Sequence, residues 1–401
     1  MRNAPDRPFF ADRLQIVELA RRRYFEDGVS PAGVVSEAVF QSWARCQRLH
    51  DGPHRAVEFQ PVTESRTRLA LQRNRHLHDA WQAELPQLQR LLGTTSCAAM
   101  LTDGSGVMIG ATCAGRPHEH LIPVAARLGV DLSEEAVGTT APGVVVRTGA
   151  PVSVIGAEHF FDGVRQMHCA AVPIRDTQGR LAGVLDISSE AIAFGFDAAT
   201  VVGHLAGAIE NRLLLAQAGE HLVLRLQVAL PLLESSAAGL LGIDSQGRVA
   251  WLNGQAARLL GQPERAPQSE PLQAESVLGQ TLDALTALPS HVASPLPLPS
   301  GLVLWARSEG RGETRPRGWV NLAWSAPPAE QTPAPAEAAA PAEAQAPTAT
   351  ARATVRDAQG ELLQRTLQAC GGNLSEAARV LGVSRGWVYR RLPSGGDLTS
   401  H

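Results

Sequence analysis

Residues 371–392 read GGNLSEAARVLGVSRGWVYRRL. Just before them, ELLQRTLQAC places Leu362, Leu363, Thr366, Leu367 and Cys370 on one helical face. Gly371 and Gly372 end that helix by admitting left-handed backbone. Asn373 is placed to cap the next helix, with Glu376 three positions on, as in a capping box. Ala377 and Ala378 are small enough for two helices to cross closely, and Gly382 supplies the turn between them. Ser384 caps a third helix, in which Val388 and Leu392 face inward with Leu381 and Val383. Arg385, Trp387, Arg390 and Arg391 are then left outward. Between Asn373 and Leu392 there are four arginines and one glutamate, a local charge of +3. Arginine grips guanine O6 and N7 bidentately in a major groove, and other basic side chains hold phosphates. A small three-helix unit with a solvated basic face is the alternative reading of the same pattern.

These residues resemble the Fis-type helix-turn-helix of bacterial enhancer-binding activators. The positions that carry the resemblance are Gly372, Asn373, Ala377, Ala378, Leu381, Gly382, Ser384, Arg385, Tyr389, Arg390 and Leu392. The resemblance implies a unit that dimerises through its first helix and reads a palindromic site on double-stranded DNA. The implied base or phosphate contacts are Ser384, Arg385 and Arg390; Asn373, Trp387, Tyr389 and Arg391 complete the candidate DNA-binding set. Trp387 stands where that family usually has a small or aliphatic residue.

Working outward, SAPPAEQTPAPAEAAAPAEAQAPTAT (325–350) has no large apolar residue, so burial does not offset its ordering entropy, and its prolines keep it extended. It reads as a tether. The whole chain has 401 residues and a net charge of −3, so nucleic-acid contact has to come from a local basic surface. All 36 basic residues are arginine. Without lysine, these residues hold no Walker-type phosphate loop. Five widely spaced cysteines, with no C-x-x-C, speak against a disulfide framework or a cysteine-pair zinc site. No apolar run reaches the length of a membrane-spanning helix, and MRNAPDRPFF lacks the pattern of a secretory signal. A cytoplasmic protein is expected.

In the front part, IVELARRRYF and EAVFQSWARC carry helical periodicity, interrupted around residues 51–61. CAAMLTD-GSG-VMIGA and CAAVPIRDTQGRLAGVLDIS each read as a hairpin about a glycine-bearing turn. VVGHLAGAIENRLLLAQ reads as a helix. Farther on, LLESSAAGLLGIDSQGRVAWLNGQAARLLG reads as helix, strand, DSQG turn, strand, and a helix opened by Asn253. GLVLWA and GWVNLAW look like two more strands, and residues 262–299 look like loop.

Residues 12–217 resemble the sensor of acetoin-type (AcoR-like) activators, a GAF domain with a helical extension. The resemblance is carried by Ser42-Trp43-x-Arg45-Cys46, Leu101-Thr102-Asp103-x-x-Gly106, Ser133-Glu134, Gly138-Thr139, Glu158-His159-Phe160, Cys169-Ala170-Ala171-x-Pro173-Ile174 and Gly183-Val184-Leu185-Asp186-Ile187-Ser188. Thr140 and Leu132 replace the family's usual asparagine and tryptophan near the expected pocket, so the ligand is not carried over. Glu158, His159, His168, Cys169 and Asp186 are the candidate pocket residues. They suit a small carbonyl or hydroxyl metabolite. They also suit a metal, or, with Cys169 merely buried and Glu158-His159 capping a loop, a structural role. His118-x-His120 is a weak metal signal. GIDSQGRVAWLNGQAARLLG is similar to the opening of a PAS domain, which implies dimerisation or signal relay.

The fold expected is multidomain α+β. It comprises a helical N-terminal extension (12–92), a GAF sensor domain (93–218), a PAS-like domain (230–325), a disordered Ala/Pro-rich linker (326–352) and a three-helix Fis-type helix-turn-helix (353–394). The function expected is a dimeric, sequence-specific transcriptional regulator under small-molecule control, without ATPase activity. Full-length relatives carry an ATPase between sensor and helix-turn-helix. RNA polymerase or such a full-length enhancer-binding activator is a further candidate partner; no membrane is. No nucleophile elbow or H-E-x-x-H occurs, and Glu134-Glu135 would point apart on a helix, so no catalytic residue, resident metal or cofactor is expected. The competing reading is a signalling adaptor that binds no DNA and pairs with a full-length activator.

Overall fold

The computed structural model describes residues 13–113, 115–263 and 272–309. The tether, the helix-turn-helix with all its candidate DNA contacts, and the strand expected at GWVNLAW lie outside those residues. The fold is mixed α and β, with two antiparallel sheets.

Four helices come first: α1 (Arg13–Asp27), α2 (Glu37–Leu49), α3 (Glu64–Arg73) and α4 (Arg75–Leu92). Ser36 and Thr63 cap α2 and α3 by accepting a backbone N–H three residues on. Then follow β1 (Cys97–Asp103), β2 (Met108–Ala111), the short helices α5 (Ile122–Ala125) and α6 (Glu134–Val137), α7 (Ala141–Thr148), β3 (Val152–Ile155), β4 (Met167–Arg175), β5 (Leu181–Glu190) and α8 (Ala198–Gln217). The strands form a sheet in the order β2-β1-β5-β4-β3. Both expected hairpins and the expected helix α8 are there.

The run CAAMLTD is buried along its whole length, as fits a strand covered on both faces. Ala98 and Met100 enter one core with Trp43, Phe160, Val145 and Val184. Ala99 and Leu101 enter the other with Trp81, Leu88, Ile187, Val202 and Ile209. Helices α1, α2 and α7 therefore cover one face, and α4 and α8 the other.

One local device closes the hairpins. Asp103 Oδ1 accepts the N–H groups of Ser105 and Val107, and Asp176 Oδ1 those of Gln178 and Arg180. Gly106 and Gly179 take the positive φ (92° and 73°) that these turns need. Asp244 and Gly247 repeat the device in the second sheet.

That sheet contains β6 (Leu222–Gln227), β7 (Gly239–Ile243), β8 (Arg248–Leu252), β9 (Leu272–Gln273), β10 (Ser294–Pro297) and β11 (Val303–Ser308), in the order β10-β11-β6-β7-β8-β9. Helix α9 (Gly254–Leu259) opens at Asn253, whose side chain accepts the Ala256 N–H, as its sequence predicts. Two expectations fail here, and one strand falls where the sequence shows no element. The helix expected at LLESS is only a 3-10 turn, Leu230–Leu232. Pro231 lacks an N–H, and the Ser235 hydroxyl bonds the Leu232 carbonyl and the Ala237 N–H in place of a helical ladder. Residues 262–299, read as loop, include β9, α10 (Ala274–Leu278), α11 (Leu282–Thr286) and β10. β10 carries Pro295 and Pro297, which an edge strand tolerates because its outer side needs no donor. Lastly, β6 was not anticipated.

Helix α8 belongs to both halves. Val202, Leu205 and Ile209 pack on the first sheet, while Leu214 joins Val223, Leu240 and Trp251 of the second. Buried Asn211 accepts a hydrogen bond from Asn253 Nδ2 at 2.7 Å and donates to the Ser236 carbonyl. The same Asn253 side chain that caps α9 thus also ties α8 to the second sheet.

Candidate functional site

Cys169 and Asp186 lie on the face of the first sheet that α2 and α7 cover, and His159 packs against it. In the register, Met100, Asp186 and Ala171 stand side by side on β1, β5 and β4; Ala98, Ser188 and Cys169 form the next row. Val154 of β3 extends that second row.

Three of the five candidates come together there. His159, with no solvent exposure, places Nε2 3.5 Å from Cys169 Sγ. Its Nδ1 lies 3.0 Å from the Gly156 carbonyl, which only accepts, so Nδ1 carries the hydrogen and Nε2 offers a lone pair to the thiol. Burial holds the imidazole neutral by lowering its pKa to about 4, and burial pushes the Cys169 thiol well up. The Ala141 N–H at the start of α7 also points at the sulfur. Ser188 Oγ lies 3.1 Å from Cys169 Sγ and 2.5 Å from Asp186 Oδ2. Asp186 is fully buried, its pKa raised to about 7 by burial, and its Oδ1 has no partner. His159, Cys169, Ser188 and Asp186 therefore form a continuous buried polar chain; Ser188 was not among the residues singled out for the pocket.

The other two candidates sit apart. Glu158 accepts the Ile155 N–H and lies 3.7 Å from Arg13; burial raises its pKa. It closes a single 3-10 turn. His168 precedes Cys169 on β4 and so faces the opposite side of the sheet, with its ring against Phe194. Burial lowers its pKa. His118 and His120 are exposed. Among the described residues, no three His, Cys, Asp or Glu side chains are placed to hold a metal ion.

The remaining motif residues fasten the helices to this face. Trp43 donates to the Glu158 carbonyl at 2.7 Å. Ser42 and Thr139 hydroxyls are 2.7 Å apart, with Cys46 beside them. Arg45 holds Glu134 bidentately, both contacts at 2.7 Å. Glu135, its neighbour, points to solvent. Gly138 has φ 69°, and a Cβ there would meet the Phe161 ring at 2.8 Å. The Arg21 guanidinium is buried against the Phe25 ring and donates to the carbonyls of Ala157, His159 and Phe160. Burial lowers its pKa, with the hydrogen bond to Asp162 opposing.

The two buried titrating groups leave opposite marks on stability. Asp186 has a raised folded pKa, so its share is fully present below the unfolded value of 3.8 and is lost as pH rises to about 7. His159 has a lowered folded pKa, so its share is present above 6.5 and is lost as pH falls to about 4. Between roughly pH 4 and 6.5 the two slopes oppose each other. Replacing Asp186 with Asn removes one of them. The stability of that variant, measured by urea unfolding, is expected to gain on the original by about 1.4 kcal/mol per pH unit from pH 4 to 7. Parallel pH profiles for the two proteins would show that Asp186 does not titrate in this window.

Residues 16–206 match the model of the MimR N-terminal domain, and residues 354–393 that of the bacterial regulatory protein, Fis family. The acetoin catabolism regulatory protein of Cupriavidus necator is 29% identical over 313 residues, covering 74% of this chain and 45% of that protein. The acetoin dehydrogenase operon transcriptional activator of Bacillus subtilis is 30% identical over 177 residues, 42% of this chain and 28% of that protein. The propane 2-monooxygenase operon transcriptional activator of Mycolicibacterium smegmatis is 29% identical over 186 residues, 45% of this chain and 30% of that protein. The chain thus spans less than half the length of each of these relatives. The solved DhaR(N)–DhaL complex of Escherichia coli contains a chain that aligns with a TM-score of 0.42 and 18% identity, over 68% of this chain and 99% of that one.

Proposed function

With a MimR-type N-terminal domain and a Fis-family segment in one chain as the premise, we propose that this protein is a DNA-binding transcriptional regulator under the control of a small effector. The observation that carries the reading is the joining of those two segments, with the +3 charge between Asn373 and Leu392 supplying the DNA-facing surface. The helix-turn-helix binds a palindromic operator as a homodimer. Asn373, Ser384, Arg385, Trp387, Tyr389, Arg390 and Arg391 are the contacts. These residues hydrolyse no ATP, since they hold no lysine for a Walker loop. Control is by occupancy of the operator, by contact with RNA polymerase, or by pairing with a full-length activator.

Within the domain scheme read from the sequence, the first sheet and its helices are the GAF-type sensor and the second sheet is the PAS-like relay. The effector is read by the face that holds His159, Cys169 and Asp186. Helix α8 passes the signal on, because it belongs to both cores and the Asn211–Asn253 bond fixes it to the second sheet.

Genomic footprinting of the full chain tests the DNA half. Discrete palindromic sites are expected, and binding to one of them in vitro is expected to weaken steeply with salt as phosphate contacts release counterions. Occupancy without discrete sites, or none at all, would favour an adaptor that acts through its sensory part.

A further inference from the structure

His159, Cys169 and Asp186 are all buried, so whatever reaches them has to displace a covering element. Two of the three covers are wedged in by apolar packing: Val39, Trp43 and Cys46 of α2 and Val144 and Val145 of α7 have no exposed surface. Helix α1 differs, because it fully buries only Val17 and Arg21. Its ends also oppose the helix dipole, with Arg13 in the first turn and Glu26 and Asp27 in the last. A helix of 15 residues with that charge pattern is marginal on its own and depends on its dock.

That dock is the segment 156–165, and the contacts along it are largely ionic. Arg13 lies 3.7 Å from Glu158, Glu18 pairs with Arg165, and Arg21 lies 2.9 Å from Asp162. The Arg21 guanidinium also donates to the carbonyls of Ala157, His159 and Phe160. One buried side chain of α1 thus gathers four acceptors of a single short segment, and Phe25 adds an edge-on contact to Phe160. The same segment covers the thiol, since its His159 ring stands with Nε2 3.5 Å from Cys169 Sγ. Gly156, at φ 57°, and Gly163 lie near its two ends, where no side chain hinders a change of backbone angle. Beside Gly163, Val164 borders a cavity of about 300 Å³ lined by Val57, Phe59, Leu121 and Val124. Val164 also belongs to the core that holds Cys169, so a shift of the segment would join the cavity to that core.

We propose that α1 is a releasable strap: through Arg21 it holds the segment 156–165 closed over Cys169, and its release opens this face of the sheet without unfolding the domain. Helices α2 and α7 stay in place, because their hold is apolar. The outer ion pairs of the strap, Arg13–Glu158 and Glu18–Arg165, are partly exposed and therefore screened by salt. Its use as the entrance for an effector rests on the sensory reading above; its opening does not.

Alkylation of the native full chain with iodoacetamide, mapped by mass spectrometry, is the test. Cys169 reports the strapped face. Cys97, buried in the core on the opposite face of the same sheet, reports global opening. Each rate is taken relative to that of the same cysteine in the urea-unfolded chain. Added salt and Glu18→Gln are each expected to raise the ratio of Cys169 to Cys97 labelling by about twofold to threefold, and Arg21→Met by about tenfold. Hydrogen exchange of the α1 amides is expected to quicken with Cys169 and not with Cys97. A ratio that neither salt nor Glu18→Gln moves overturns the strap, since the face then opens only by unfolding. Should Arg21→Met unfold the domain, both cysteines react together, and the Glu18→Gln ratio decides. Footprinting the same preparations reads the DNA half separately. Discrete operator sites with an unmoved ratio fail the strap alone, and a moved ratio without operator sites fails the regulator reading alone.

Discussion

Replacing Arg385 and Arg390 together with Ala is expected to abolish operator protection. Each arginine that reads a base edge discriminates by about 1–3 kcal/mol, so losing two should weaken specific binding on the order of 100-fold or more. The helical reading of the sequence leaves both outward, with the apolar Val388 and Leu392 turned inward. If one of them holds a phosphate instead, binding falls more evenly across sequences and the salt dependence becomes shallower by about one ion. Comparing operator with scrambled DNA at two salt concentrations separates these roles. Arg90→Ala is the control: it removes the same charge from an exposed position on α4 and should leave protection unchanged. Protection that survives the double variant would move the DNA contact off this helix.

How much of this molecule could be read from its sequence depended on how local the determinant was. The hairpins were legible because each is closed by a single aspartate and glycine within five residues: Asp103 with Gly106, Asp176 with Gly179, Asp244 with Gly247. The α9 start was legible because Asn253 acts on a backbone group three residues away. Strands β6 and β10 were not legible. Leu222–Gln227 follows a long helix without a strong turn signal and buries Arg225, which pairs with Glu309 far along the chain. Pro295 and Pro297 argue against a strand unless its edge position is known.

The pocket shows the same division. His168 and Glu158 are neighbours of Cys169 and His159 in sequence but not their companions in the fold. Strand alternation sends His168 to the opposite face from Cys169. Glu158 and His159 are divided instead by a backbone turn that claims the carboxylate. Counting the period along MHCAAVPIR would have separated the first pair. Nothing in the sequence sets Ser188 apart from other strand hydroxyls; only the fold puts its hydroxyl between Cys169 and Asp186.

The other large effect is expected at Trp43→Ala, which should lower the melting temperature of the sensor by roughly 10 °C or more. Trp43 is fully buried and stacks on Tyr24 with ring centroids 5.6 Å apart, 5.3 Å from Phe25. Truncating a buried tryptophan costs about 3–5 kcal/mol, and a domain of this size loses about 2–4 °C per kcal/mol. The change also strips the Glu158 carbonyl of its donor, at about 1–3 kcal/mol if no water replaces it. Trp43→Phe keeps an aromatic ring in the core but loses part of the packing along with that donor, so its smaller loss sets an upper bound on the hydrogen bond's share. A variant that melts unchanged would mean that α2 does not share the core of the first sheet. The effect of the cavity reaches past stability. Trp43 anchors α2, α2 carries Ser42 and Arg45, and these grip Thr139 and Glu134 on the segment leading into α7. Helix α7 in turn points the Ala141 N–H at Cys169 in the polar chain that supports Asp186. A cavity at Trp43 is therefore expected to loosen the face proposed to read the effector even at temperatures where the sensor stays folded, and faster amide hydrogen exchange at Ala141 in this variant below its melting point checks that directly.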